Sequence, residues 1–153
     1  MRKTLACLVL AIALIGCANA AEPPAFAKLR AKFPNGIPWT VSVYDPAGKE
    51  LASLRMRITR TPANSCLGDM AGGLRVEFDP KKAKAISPNL PIGSYGVAKL
   101  TDDAIKIDLT GGICDAYLMM AGKIEPDGSS KGTVYRFSIG GGEDVGTYGA
   151  TVN

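Results

Sequence analysis

The chain has 153 residues, with 18 lysines and arginines against 14 aspartates and glutamates, and it contains no histidine. Its length suits one domain with a single core. The missing imidazole removes the usual general base, the usual orienter of a serine or cysteine nucleophile, and an ordinary zinc ligand. A non-enzymatic protein is expected, with no catalytic residue, metal or cofactor assigned.

The N-terminus reads as a secretory signal. Arg2 and Lys3 precede an apolar stretch of 12 residues, Thr4 to Ile15, well short of the roughly 20 that a membrane-spanning helix needs. Two cleavage signals follow. Leu14-Ile15-Gly16-Cys17 matches the box cut before a lipid-modified cysteine, giving a leader of 1–16 and lipidation at Cys17. Ala18-Asn19-Ala20 is a small-x-small site, giving a leader of 1–20. The expected location is therefore exported, either as an outer-membrane lipoprotein or as a soluble periplasmic or secreted protein. The complete box tilts the reading toward the lipoprotein.

Removal of residues 1–20 also removes Arg2 and Lys3, leaving 16 basic and 14 acidic side chains and a net charge near +2. The basic residues form no long run. Lys81-Lys82-Ala83-Lys84 reads as a solvated loop, so no nucleic-acid partner is expected. Membrane contact is expected only through the lipid anchor.

Residues 21–37 form a lead-in. Ala25 to Phe33 suit a short helix ended by Pro34-Asn35-Gly36, with Phe26, Leu29 and Phe33 on one stripe. Such a helix plugs or flanks a barrel, or lies against a membrane past the anchor; the plug is favoured.

The barrel domain is placed at 38–153. Leu54, Met56 and Ile58 alternate with Arg55, Arg57 and Thr59; Leu74, Val76 and Phe78 with Arg75, Glu77 and Asp79; Ile105, Ile107 and Leu109 with Lys106, Asp108 and Thr110. This period of two marks half-buried strands. Further strands are read at 39–44, 94–100, 116–124, 133–139 and 145–152, making eight. Turn chemistry at Asp45-Pro46-Ala47-Gly48, Thr101-Asp102-Asp103 and Pro126-Asp127-Gly128 suits antiparallel neighbours. The expected fold is all-β: one small antiparallel up-and-down barrel of about eight strands with a short N-terminal helix, a two-sheet sandwich standing second.

Cys66 and Cys114 are the even pair left after Cys7 and Cys17, and a disulfide is their natural reading in an oxidising compartment. One conflict arises. In a strict meander the connections holding these two cysteines lie at opposite ends of the barrel. Either the strand count is off by one, or Leu67 to Gly73 carries Cys66 along the barrel.

Gly36-Ile37-Pro38-Trp39, with one residue more than the Gly-x-Trp opening the first lipocalin strand, and Gly146-Thr147-Tyr148 on the closing strand resemble calycins, the lipocalin and avidin-type barrels. The resemblance implies a barrel that binds a ligand or a partner. Small one-disulfide barrels are also found among bacterial periplasmic inhibitors of lysozymes and proteases.

Two classes of site follow. An interior site for a small apolar ligand would use Met56, Phe78, Met120, Phe137 and Tyr148, among inward residues that include Leu54, Ile58, Leu74, Val76, Ile105, Ile107, Leu109 and Leu118. A filled interior would instead move function to the surface. There the long connection from Asp79 to Gly93 offers Lys82, Ile86, Leu90 and Ile92 to a protein partner; Leu90 and Ile92 equally suit capping of the mouth. Asp69 and Asp115, each within three residues of a cysteine, would be drawn together by the disulfide as loop acceptors. The chain is expected to bind a small apolar ligand or a protein partner, with periplasmic inhibitor and structural or accessory envelope lipoprotein as alternatives.

Overall fold

A computed structural model describes residues 24–86, 91–101 and 103–153, leaving aside the side chains of residues 84–86. The two cleavage signals and Cys17 lie outside the described residues, as do Asp102 and Leu90.

Eight strands run in chain order as one antiparallel meander and close on themselves: β1 Ile37–Tyr44, β2 Glu50–Ala63, β3 Gly73–Phe78, β4 Tyr95–Leu100, β5 Ala104–Gly111, β6 Ala116–Ile124, β7 Ser130–Ser138 and β8 Gly141–Val152. β1 pairs with both β2 and β8, from Trp39 opposite Met56 to Trp39 opposite Val152. Closure leaves no free sheet edge. The period of two located all eight strands, and β6 has the bounds read from it.

The turns work as their chemistry requires. At Asp45-Pro46-Ala47-Gly48 the Gly48 amide donates to the Asp45 carbonyl, and Gly48 takes a φ of 81°. In the β6–β7 turn the Gly128 amide donates to the Glu125 carbonyl. The Asp127 carboxylate accepts from the Ser129 hydroxyl and amide, which lowers its pKa.

Helix α1, Pro24–Lys32, buries Phe26 and Leu29 in the main core, with Phe33 packed beside them. It lies at the end of the barrel holding the start of β1 and the β6–β7 turn, since a Cβ on Gly128 would strike Leu29. We call this the helix end, and the opposite end the hairpin end. The expected plug is therefore present.

The hairpin end differs from the sequence reading. The connection from Asp79 to Gly93 is not simply a Pro-rich loop: it opens with helix α2, Pro80–Ile86. Asp79 caps it, its carboxylate accepting from the Lys81 and Lys82 amides at 3.0 and 3.3 Å. Asp before Pro at the first helical position is a helix start, and that signal was hidden by the solvated-loop reading of the lysines. Ala83 of α2 and Ile92 are both buried in the main core.

Between these two covers the interior is occupied by side chains. Trp39, Ile58, Val76, Ile105, Ile107 and Met120 are all under 2% exposed. The inward set expected from the sequence is found there except for Phe137, which is on the outer face.

Candidate functional site

The meander places the β2–β3 and β5–β6 connections at opposite ends, yet Cys66 and Cys114 are joined, with Cα atoms 5.5 Å apart. The β2–β3 connection resolves this by folding back as a strap over the outer face of β4 and β5. Asn64 accepts from the Tyr95 hydroxyl, and the Ser65 hydroxyl donates to the Asp108 carboxylate. Lys106 holds Asp69 at 2.9 Å, and Lys99 donates to the Ala71 carbonyl. The eight-strand count stands, and it is the stretch after Cys66 that travels.

Beneath the strap lies a second core. Met70 is fully buried against Val97 and Met119, outward-facing residues of β4 and β6. Asp108 also faces outward and is 1% exposed, its carboxylate accepting from Ser65, the Thr110 amide and the Thr110 hydroxyl. Alternation predicts which side of the sheet Asp108 faces, but not that a loop covers that side.

Asp69 and Asp115 do different jobs. Asp69 pairs with Lys106, and its hydrogen bond, then its charge, raises the lysine pKa. Both partners are about half exposed, so the pair contributes little to stability. Asp115 is exposed in the left-handed region at φ 69°, a conformation aspartate tolerates in a tight turn. Among the described residues no group of three or more metal-ligating side chains converges.

The second core continues into an aromatic ridge. Phe137 lies directly opposite Tyr117 across β6–β7, their ring centroids 4.8 Å apart, and Tyr135 stacks on Phe137 at 5.9 Å. Phe137 faces outward because Val134 is the buried inward residue and the alternation passes through Tyr135 and Arg136. Assigning inwardness by apolarity alone placed this ring on the wrong side.

Beside the ridge opens a groove of about 660 Å3, lined by Pro91, Tyr117, Arg136, Phe137, Ser138 and the β7–β8 tip. Arg136 and Glu143 form an ion pair on its wall at 2.7 Å. Ile139 at the tip is 87% exposed. A second open groove, about 680 Å3, runs past Pro38, Arg55, Arg57, Glu77 and Asn153 on the β1–β3 side.

Of the residues expected to meet a partner, Lys82 is exposed at the hairpin end, whereas Ile92 is 6% exposed and seals the mouth. Ile92 thus belongs to the core and is unavailable for docking. Ile86 has only its backbone described, and Leu90 lies outside the described residues. Met56, Met120 and Tyr148 are buried inside the barrel, and Phe78 packs partly buried against them. Sequence reasoning missed Tyr117, Tyr135, Arg136 and Ile139; Tyr117 and Phe137 in paired strands were the available signal, once register was known.

No protein-family model matches the chain, and no curated protein or solved structure shows significant similarity to it.

Proposed function

We propose that this is an exported, non-enzymatic, calycin-like barrel that binds a protein partner at its hairpin end. The observation carrying this reading is Ile139, a large apolar side chain 87% exposed on a hairpin tip beside an aromatic groove. A solvated apolar residue next to stacked aromatic rings and an Arg–Glu pair has the composition of a binding hot spot. The interior argues in the same direction, since both mouths are covered and the axis is filled. Export is supported by the leader, and the Cys66–Cys114 bond fits an oxidising compartment. In its narrower form the hairpin inhibits a lysozyme or protease by inserting its tip; with Cys17 lipidated, the barrel is an envelope accessory protein.

The test is capture from a cell-envelope extract on immobilised barrel, with lysozymes and proteases assayed in parallel. A partner held by the native protein should be lost with Ile139→Glu and kept with Lys131→Glu at the opposite end. Capture indifferent to Ile139→Glu would overturn the assignment.

One observation favours the small-ligand reading. The Trp39 indole N–H is buried inside the barrel without an acceptor among the described residues, so a guest with one acceptor atom would satisfy it. Intact mass of the native protein decides this, since a retained small molecule adds directly to the chain. The same measurement reports the cleavage site and any lipid on Cys17.

A further inference from the structure

The sequence carries no long basic run, yet the fold collects basic side chains from distant segments at one end. On the helix end, Lys28 and Lys32 are exposed on the face of α1 turned away from the core. Arg60, exposed near the end of β2, ties α1 down by donating to the Arg30 carbonyl at 2.7 Å. Lys123 and Lys131, both exposed, stand directly opposite each other across β6–β7. The described acids at this end are Asp103, Glu125 and Asp127. Of these Glu125 lies 3.6 Å from Lys131, and Asp127 holds its own turn through Ser129.

The hairpin end carries both signs in near balance. Asp45, Glu50, Asp79, Asp115, Glu143 and Asp144 are set there among Lys49, Lys81, Lys82 and Arg136, and Lys84 stands on α2 at the same end. The positive excess of the barrel is thus concentrated at the helix end, although its summed charge is small.

Two further observations identify what the basic end meets. Like charges placed directly opposite on a sheet face repel, and the Lys123–Lys131 pair is relieved when an anionic surface comes near. The chain also reaches α1 from Cys17 in seven residues, which span at most roughly 25 Å. A lipid on that cysteine would hold the helix end, rather than the hairpin end, against the bilayer.

We infer that the helix end is a docking surface for an anionic phospholipid bilayer, with Lys28, Lys32, Arg60, Lys123 and Lys131 facing the headgroups. The hairpin end then points away from the membrane, where a partner can reach Ile139. The inference rests on export for its setting, but not on partner binding; the two surfaces lie at opposite ends and fail independently.

The test uses the full chain expressed with its own leader and carrying Cys17→Ala, so that no lipid anchors it. Co-sedimentation is measured with vesicles of phosphatidylcholine alone and with vesicles containing phosphatidylglycerol. Binding to the anionic vesicles should be about ten-fold stronger and should fall away as salt is raised, because exposed charges are screened beyond the Debye length. The triple change Lys28→Glu, Lys32→Glu, Lys123→Glu should abolish it with the melting temperature retained. The matched change Lys49→Glu, Lys81→Glu, Lys82→Glu at the hairpin end should leave it intact. Equal binding to both vesicle types, or equal loss with both triple variants, would overturn the inference.

Discussion

Tyr148 points into the barrel opposite Gly132, and Gly132 in turn faces Gly122 on β6. The two glycines make room for the ring: a Cβ on Gly132 would run into the Ala121 carbonyl, and one on Gly122 into the Tyr148 hydroxyl and the Lys131 carbonyl. That hydroxyl shares a 2.8 Å hydrogen bond with Ser130, itself 3% exposed. Burial raises the Tyr148 pKa above the ordinary tyrosine value of 10.0, and the Ser130 bond offsets part of the rise. A raised folded-state pKa means that the native protein prefers the neutral phenol. Its contribution to stability is therefore complete below pH 10.0 and is lost as pH climbs through the folded-state value. Tyr148→Phe should cost about 1–3 kcal/mol at neutral pH, because Ser130 loses its partner in a buried site. The gap between native protein and variant should narrow above pH 10, as read from melting temperatures over an alkaline series.

The strap between β2 and β3 shows what one covalent bond does for an element with little regular structure. Its single turn of 3-10 helix, Gly68–Met70, is too short to hold itself in place. The Cys66–Cys114 bond, Met70 in the outer core and the Ser65–Asp108 hydrogen bond fix it instead. A cross-link over 48 residues restrains the unfolded chain by about 4 kcal/mol in the chain-entropy model. Reduction should lower the urea midpoint by a corresponding amount and loosen the outer core. Met119 and Val97 then become accessible, which hydrogen exchange of β4 and β6 would register. The even count of cysteines was legible because it depends only on composition and compartment. The route of the strap was not, since Ser65, Asp69, Met70 and Ala71 find their partners on strands more than 25 residues away. The same limit explains Phe137, whose side of the sheet depends on the register between β6 and β7. Helix α2 is a different kind of miss, because its Asp79-Pro80 start signal was local and readable.

The whole molecule is a barrel stoppered at both ends, by Phe26 and Leu29 of α1 at one mouth and by Ala83 and Ile92 at the other. Phe26→Ala should cost about 3–5 kcal/mol in urea unfolding, the range for removing a buried phenyl ring. It should also admit an apolar fluorescent dye that the native protein excludes. A variant that binds no more dye than the native chain would show that α1 does not control that mouth. By itself the sequence determined the eight strands, the N-terminal helix stripe and the cysteine pair, because each depends on local periodicity or a count. Tertiary structure alone decided that the strap crosses the outer face, that Phe137 joins an external aromatic ridge, and that basic residues scattered along the chain gather at the helix end. Those features are set by which distant strands lie side by side, and register across a closed barrel brings together residues that no local pattern connects.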